Sequence, residues 1–243
     1  MIPPFRVDVA GRSHWVQELT FSQSMQIAGR TDNLHEKSLT VTLRAICPTS
    51  PDPLTMTVQE RYYLLLQYLA AQQDSLIGYS MNYSGYARLQ HEPWRQSMVL
   101  DGITIHQMTG LQAEALEASC ENAADWVLGV LAMQIEASEL PHLDSQDQSS
   151  LANQLHERVK KIGAMPNSQV DHLYSLWLQA QDRMGTAVHL GIDGGGLIVY
   201  GGADDAPMRF CATAAFGFIA GQLAGGVDQD GFPDQPGGAD QFG

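Results

Sequence analysis

The stretch Thr57-Val58-Gln59-Glu60, running on into Arg61-Tyr62-Tyr63-Leu64-Leu65-Leu66, constrains this chain more than any other. Thr57 can accept from the backbone N–H three residues on, and Glu60 can reach back to the N–H of Thr57, a reciprocal helix start. Val58, Tyr62, Leu65, Leu66 and Leu69 then recur at helical spacing, while Tyr63, Leu64 and Tyr68 widen the apolar face beyond one stripe. A helix apolar over most of its circumference is packed on more than one side. It is therefore either central to the fold or partly covered by a partner. Upstream, Pro48, Pro51 and Pro53 stop the preceding element and impose an extended linker.

Around this helix the pattern alternates between strand and helix periods. Phe5-Arg6-Val7-Asp8-Val9 alternates apolar and polar side chains, and His14 to Leu19 returns after a turn at Gly11-Arg12, which predicts an N-terminal hairpin. Ser22 is the expected cap of a short helix ending near Gly29. Residues 31–47 fit both periods, but their charged residues and lack of internal Gly or Pro favour helix. Asp101-Gly102 between alternating runs predicts a hairpin over 94–107, because both turn positions need positive φ. Thr109-Gly110-Leu111-Gln112 repeats the reciprocal helix start. It opens a helical region to about residue 137, broken near Cys120-Glu121-Asn122. Leu151, Leu155, Val159 and Ile162, then Val170, Leu173, Trp177, Ala180 and Met184, mark two more helices joined by a short Met165-Pro166-Asn167 link. That link predicts an antiparallel pair. Beyond Gly185, Val188-His189-Leu190 and Ile198-Val199-Tyr200 read as strands around a glycine turn, with a third strand over 208–213.

The fold class is therefore α+β: an N-terminal β-hairpin, a central helical layer with an inserted β-hairpin, a small C-terminal β region and a Gly-rich tail. The regions fall at 1–50, 51–185, 186–215 and 216–243. The chain has 243 residues, 44% of them hydrophobic, enough for a sizeable core. No run is long and apolar enough for a membrane span, and Met1 to Arg6 lacks the order of a signal peptide. The net charge is −14. Residues 1–100 balance, whereas 101–192 carry twelve acids against four bases, and 193–243 carry seven acids against Arg209 alone. This excludes a basic nucleic-acid footprint and an anionic membrane surface as partners. It suits either solubility or an acidic face that steers a basic partner.

Chemistry-bearing patterns are incomplete. Gly191 to Gly196 lacks the helix start and the lysine of a phosphate loop, and reads as a tight turn. Asp228-Gln229-Asp230-Gly231 lacks the downstream Glu of a calcium loop. Cys47, Cys120 and Cys211 are too far apart for a metal knuckle and read as buried hydrophobes. The histidines form no zinc pattern, and Ser80 and Ser84 sit in incomplete nucleophile turns. No catalytic, metal or cofactor residue is assigned. The interaction candidates are Tyr62, Tyr63, Tyr68, Tyr79, Tyr83 and Tyr86, since tyrosine is apolar in body and polar at its tip, together with the spaced Phe216, Phe218, Phe232 and Phe242 of the tail. A Tyr-rich core is the competing reading.

The segments Met56 to Leu65, with the proline linker before them, and Met108-Thr109-Gly110-Leu111-Gln112-Ala113-Glu114-Ala115-Leu116-Glu117 resemble tail proteins of tailed bacteriophages. The nearest group is the baseplate hub and hub-assembly proteins of contractile-tailed, T-even-like phages. In that group a small α+β region leads into a helix announced by Thr-x-x-(Asp/Glu)-Arg, and some members carry a Cys-rich segment after it. Here Gly78 to Arg88 takes that place without cysteine, so no metal follows from the resemblance. The resemblance implies a structural virion component of the tail or baseplate, made in the host cytoplasm. It implies phage tail or baseplate proteins as partners, in a homo-oligomer or hetero-complex. A tail-assembly chaperone is the alternative, and a small hydrolase using Ser80 or Ser84 a third.

Overall fold

In a computed structural model the chain forms seven helices and three small antiparallel sheets among the described residues, which are 2–30, 34–73, 94–144, 148–201 and Arg209. The fold is α+β. Strands β1 (Phe5–Val9) and β2 (Arg12–Val16) pair with Val7 opposite His14, and their turn uses positive φ at Ala10 and Gly11. The alternation works as read: Val7, Val9 and Val16 are buried while Arg6 and Asp8 face out. Helix α1 (Phe21–Ala28) starts two residues earlier than expected, because Thr20 finds Gln23 three residues on. Ser22 faces Met25 at that offset, which has no acceptor to return the bond. Residues 35–46 are helix α2 (His35–Ile46). Gln17 N–H bonds Ile46 C=O at 2.8 Å, tying the hairpin to its end.

Helix α3 (Val58–Gln73) is enclosed by this chain itself, which settles the alternatives its sequence left open. Tyr62, Leu64, Leu65, Leu66 and Tyr68 have no solvent exposure, and β1, α2 and α4 (Gly110–Glu117) pack against the helix. Strands β3 (Ser97–Leu100) and β4 (Ile103–His106) form the inserted hairpin, with positive φ at Asp101 and Gly102. Helix α5 (Ala123–Gln134) is capped by Asn122, whose side chain accepts from Ala124 and Asp125 N–H. It ends before residue 137. At Ile135 the backbone turns extended and β5 (Ile135–Glu136) joins β4, with Ile135 opposite Ile105.

Helices α6 (Gln148–Gly163) and α7 (Asn167–Arg183) do not form the broad antiparallel pair expected from their short link. Each packs instead on α5, with α6 also meeting α4 and α7 meeting β3. Their apolar positions have better partners there: Leu151, Leu155 and Ile162, and Leu173, Leu176 and Ala180, all join the common core. Strands β6 (His189–Asp193) and β7 (Gly196–Tyr200) form the C-terminal hairpin on α5, turning through Gly194-Gly195. The proposed third strand and the tail lie outside the described residues, apart from Arg209, which pairs with Asp193. One buried apolar cluster runs from Val7 to Val199 and is shared by the regions drawn at 1–50, 51–185 and 186–215.

Candidate functional site

The two helix-start motifs meet in space. Thr57 and Thr109 form an antiparallel β-bridge. Around it Val58 N–H bonds Met108 C=O at 2.8 Å, and Gly110 N–H bonds Met56 C=O at 2.9 Å. Both reciprocal caps form: Thr57 N–H to Glu60 Oε2 at 2.7 Å with Glu60 N–H to Thr57 Oγ1 at 3.2 Å, and the Thr109–Gln112 counterpart. Helices α3 and α4 therefore begin side by side from one short ladder.

The polar side chains of Gln59-Glu60-Arg61-Tyr62 then reach three other parts of the chain: the approach to β6, β2 and α2. Gln59 Oε1 accepts the N–H groups of Ala187 and Val188 at 3.0 and 2.9 Å, holding the approach to β6. Glu60 Oε1 lies 3.8 Å from Arg12 of β2. Arg61, fully buried, donates to Glu36 C=O at 2.7 Å and Thr40 Oγ1 at 3.1 Å, and its Nη2 is 3.2 Å from Glu36 Oε2. Tyr62 Oη donates to Glu36 Oε1 at 2.5 Å. Burial, followed by the neighbouring Glu36 charge, pushes the Tyr62 hydroxyl well above the usual tyrosine range, so it stays a donor.

The same region caps α2 from outside. Its N-cap, Leu34, offers no side-chain acceptor, and the Glu117 carboxylate of α4 takes the N–H groups of Glu36 and Lys37 at 3.0 and 3.3 Å. Burial is the main cause that pushes the Glu117 carboxyl up to about 7; the Glu36 charge adds to it and the backbone N–H bonds oppose it. Helix α5 receives the mirror treatment at its other end. The buried Arg158 of α6 donates to the carbonyls of Ala132, Ile135 and Pro141. Burial lowers this guanidinium from the usual arginine range and Glu136 opposes the shift.

Two cavities border this frame. One of about 250 Å³ is polar and is walled by Gln96, Gln107, Gln112, His142 and Arg158 among others. The other, of about 330 Å³, opens between α5, α7 and β6. Its floor includes Val130, Leu131 and Val188, all buried, and its mouth carries Tyr174, Leu178 and Asp182. Tyr174 and Trp177 stack with centroids 5.6 Å apart, and Trp177 Nε1 donates to Gln134 Oε1 at 2.6 Å.

The structure places Tyr62, Tyr63 and Tyr68 inside the core, so as interaction residues they are corrected: the Tyr-rich core reading holds for these three. Tyr79, Tyr83, Tyr86, Ser80, Ser84, Phe216, Phe218, Phe232 and Phe242 lie outside the described residues, as does the Asp228–Gly231 stretch. Cys47 is buried and Cys120 half-buried, with thiols pushed by burial up to about 12 and about 11. Among the described residues no group of His, Cys, Asp and Glu is arranged to hold a metal, and no helix is long and apolar enough to cross a membrane. Sequence reasoning missed Glu36, Arg61, Glu117 and Arg158, and missed the apolar pair Tyr174 and Leu178, for which the i to i+4 spacing was the available signal. No protein-family model matches the chain, and no curated protein or solved structure matches it significantly.

Proposed function

We propose that this chain is a structural component of a phage tail tip or baseplate hub and acts through protein–protein contacts during tail assembly. The observation that carries the reading is the ladder at Thr57 and Thr109. The two segments that bear the resemblance, Met56 to Leu65 and Met108 to Glu117, are far apart in sequence yet form one unit at the centre of the fold. Their polar residues work as internal struts, joining the N-terminal hairpin, α2 and the C-terminal hairpin to α3. Such a frame suits a part that must present outward faces at fixed relative positions. Partners in this reading are other tail or baseplate proteins, and the site of action is the virion.

The test is quantitative mass spectrometry of gradient-purified particles from the source, with the major tail protein as internal standard. A fixed stoichiometry of a few copies per particle supports the structural role. Absence from particles with presence in the infected-cell lysate overturns it and leaves the assembly-chaperone alternative, which the acidic second half of the chain favours for a basic client.

A further inference from the structure

The α5–α7–β6 cavity combines three independent features. First, two of the chain's exposed large apolar side chains, Tyr174 (39% exposed) and Leu178 (45%), stand one helical turn apart at its mouth. The others among the described residues, Trp15, Phe21 and Val99, are not part of it. Second, among the described residues its walls contain no Lys or Arg, and their one carboxylate, Asp182, is exposed and has no ion-pair partner. Third, Gln181 Nε2 is buried at the lining without an acceptor, although burying an unpaired amide donor is costly.

We propose that this groove seats an apolar side chain of a partner polypeptide that carries a lysine or arginine within a few residues of that anchor. The volume, about 330 Å³, lies at the small end of ligand-sized pockets and suits one anchoring side chain rather than a large ligand. The Tyr174–Trp177 stack supplies a flat apolar wall. Charge complementarity sets the sign of the partner. Asp182 sits at the rim, within a stretch, 101–192, that carries twelve acids against four bases. A second copy of this chain, at −14, brings the wrong charge. The proposal rests on the reading of the chain as an assembly component and names the chemistry of one contact it makes.

The experiment is selection of a displayed library of random 12-residue peptides on the full-length chain. Leu178→Lys and Asp182→Lys serve as comparison baits; both positions are exposed, and unchanged thermal midpoints confirm that the baits are folded. The expected result is enrichment of peptides with Leu, Met or Phe flanked by Lys or Arg, binding each variant about tenfold more weakly than the parent. Failure to enrich, enrichment without basic residues, or equal binding to parent and variants overturns the proposal. So does a concentration-dependent dimer of the chain that Leu178→Lys abolishes. Peptide selection with absence from purified particles would retain the groove and remove the tail reading. Presence in particles without selection would do the reverse.

Discussion

The Arg61 guanidinium occupies the space that a Cβ on Gly110 would fill, and Pro53 C=O also crowds it. The Gly in Met108-Thr109-Gly110 is thus required by a residue of the other helix-start motif. Gly110→Ala must displace a fully buried cation that is bonded to α2. The expected loss is about 1–3 kcal/mol, typical of overpacking. Gly163→Ala, where an added Cβ meets nothing within 4 Å, is the control and should be neutral or slightly stabilising. Urea denaturation of the two variants checks both outcomes.

Arg61 and Glu36 form a buried ion pair, so removing one partner costs more than removing both. Arg61→Met should destabilise by about 3–5 kcal/mol, because Glu36 is left charged and buried. The double variant Arg61→Met with Glu36→Gln should recover part of that loss. Tyr62→Phe, which removes one donor to the same carboxylate, should cost about 1–3 kcal/mol. A double-mutant cycle in urea would contradict this if the single and double changes simply added.

Glu117 gives stability a defined dependence on pH. Its carboxyl is raised from 4.5 to about 7 in the folded chain, so the folded state holds the proton more tightly than the unfolded one. Its contribution is fully present below the unfolded value and is lost as pH rises through about 7. Glu117→Gln keeps an amide oxygen for the Glu36 and Lys37 N–H groups but cannot ionise. The variant should show a flatter fall in denaturation midpoint between pH 4.5 and 8 than the parent. Parallel curves would refute the assignment.

Gln59 is the strut between the first turn of α3 and the C-terminal hairpin. Gln59→Leu leaves the amides of Ala187 and Val188 without their acceptor. Hydrogen exchange at those two amides should accelerate well beyond that of α3, whose own ladder is untouched. Equal protection in parent and variant would show that another group carries the strut.

What could be read from the sequence was local chemistry. Thr57 with Glu60 and Thr109 with Gln112 act over three residues, and Asp101-Gly102 needs only its own dihedrals, so all three features were legible. Glu117 caps a helix from 81 residues away, and Gln59 reaches across 128, distances at which pattern carries no signal. The tyrosines were ambiguous for a physical reason. A Tyr at helical spacing serves a core or an interface equally well until its hydroxyl has a partner, and for Tyr62 that partner is Glu36 on another helix. Likewise the Met165-Pro166-Asn167 link was read correctly as short, but shared burial on α5 outweighed pairing between its two helices.

Helices α2 and α5 borrow their ends. A carboxyl group from α4 closes the first at its N-terminus and a guanidinium from α6 closes the second at its C-terminus. Among the described residues neither boundary carries a local stop: Leu34 makes no side-chain capping bond, and Gln134-Ile135 holds neither Gly nor Pro. These helices have defined lengths only once the chain is assembled around them. Melting should therefore be all-or-none, with helical signal and core fluorescence lost together, and a peptide of α5 alone would have no reason to end at Gln134.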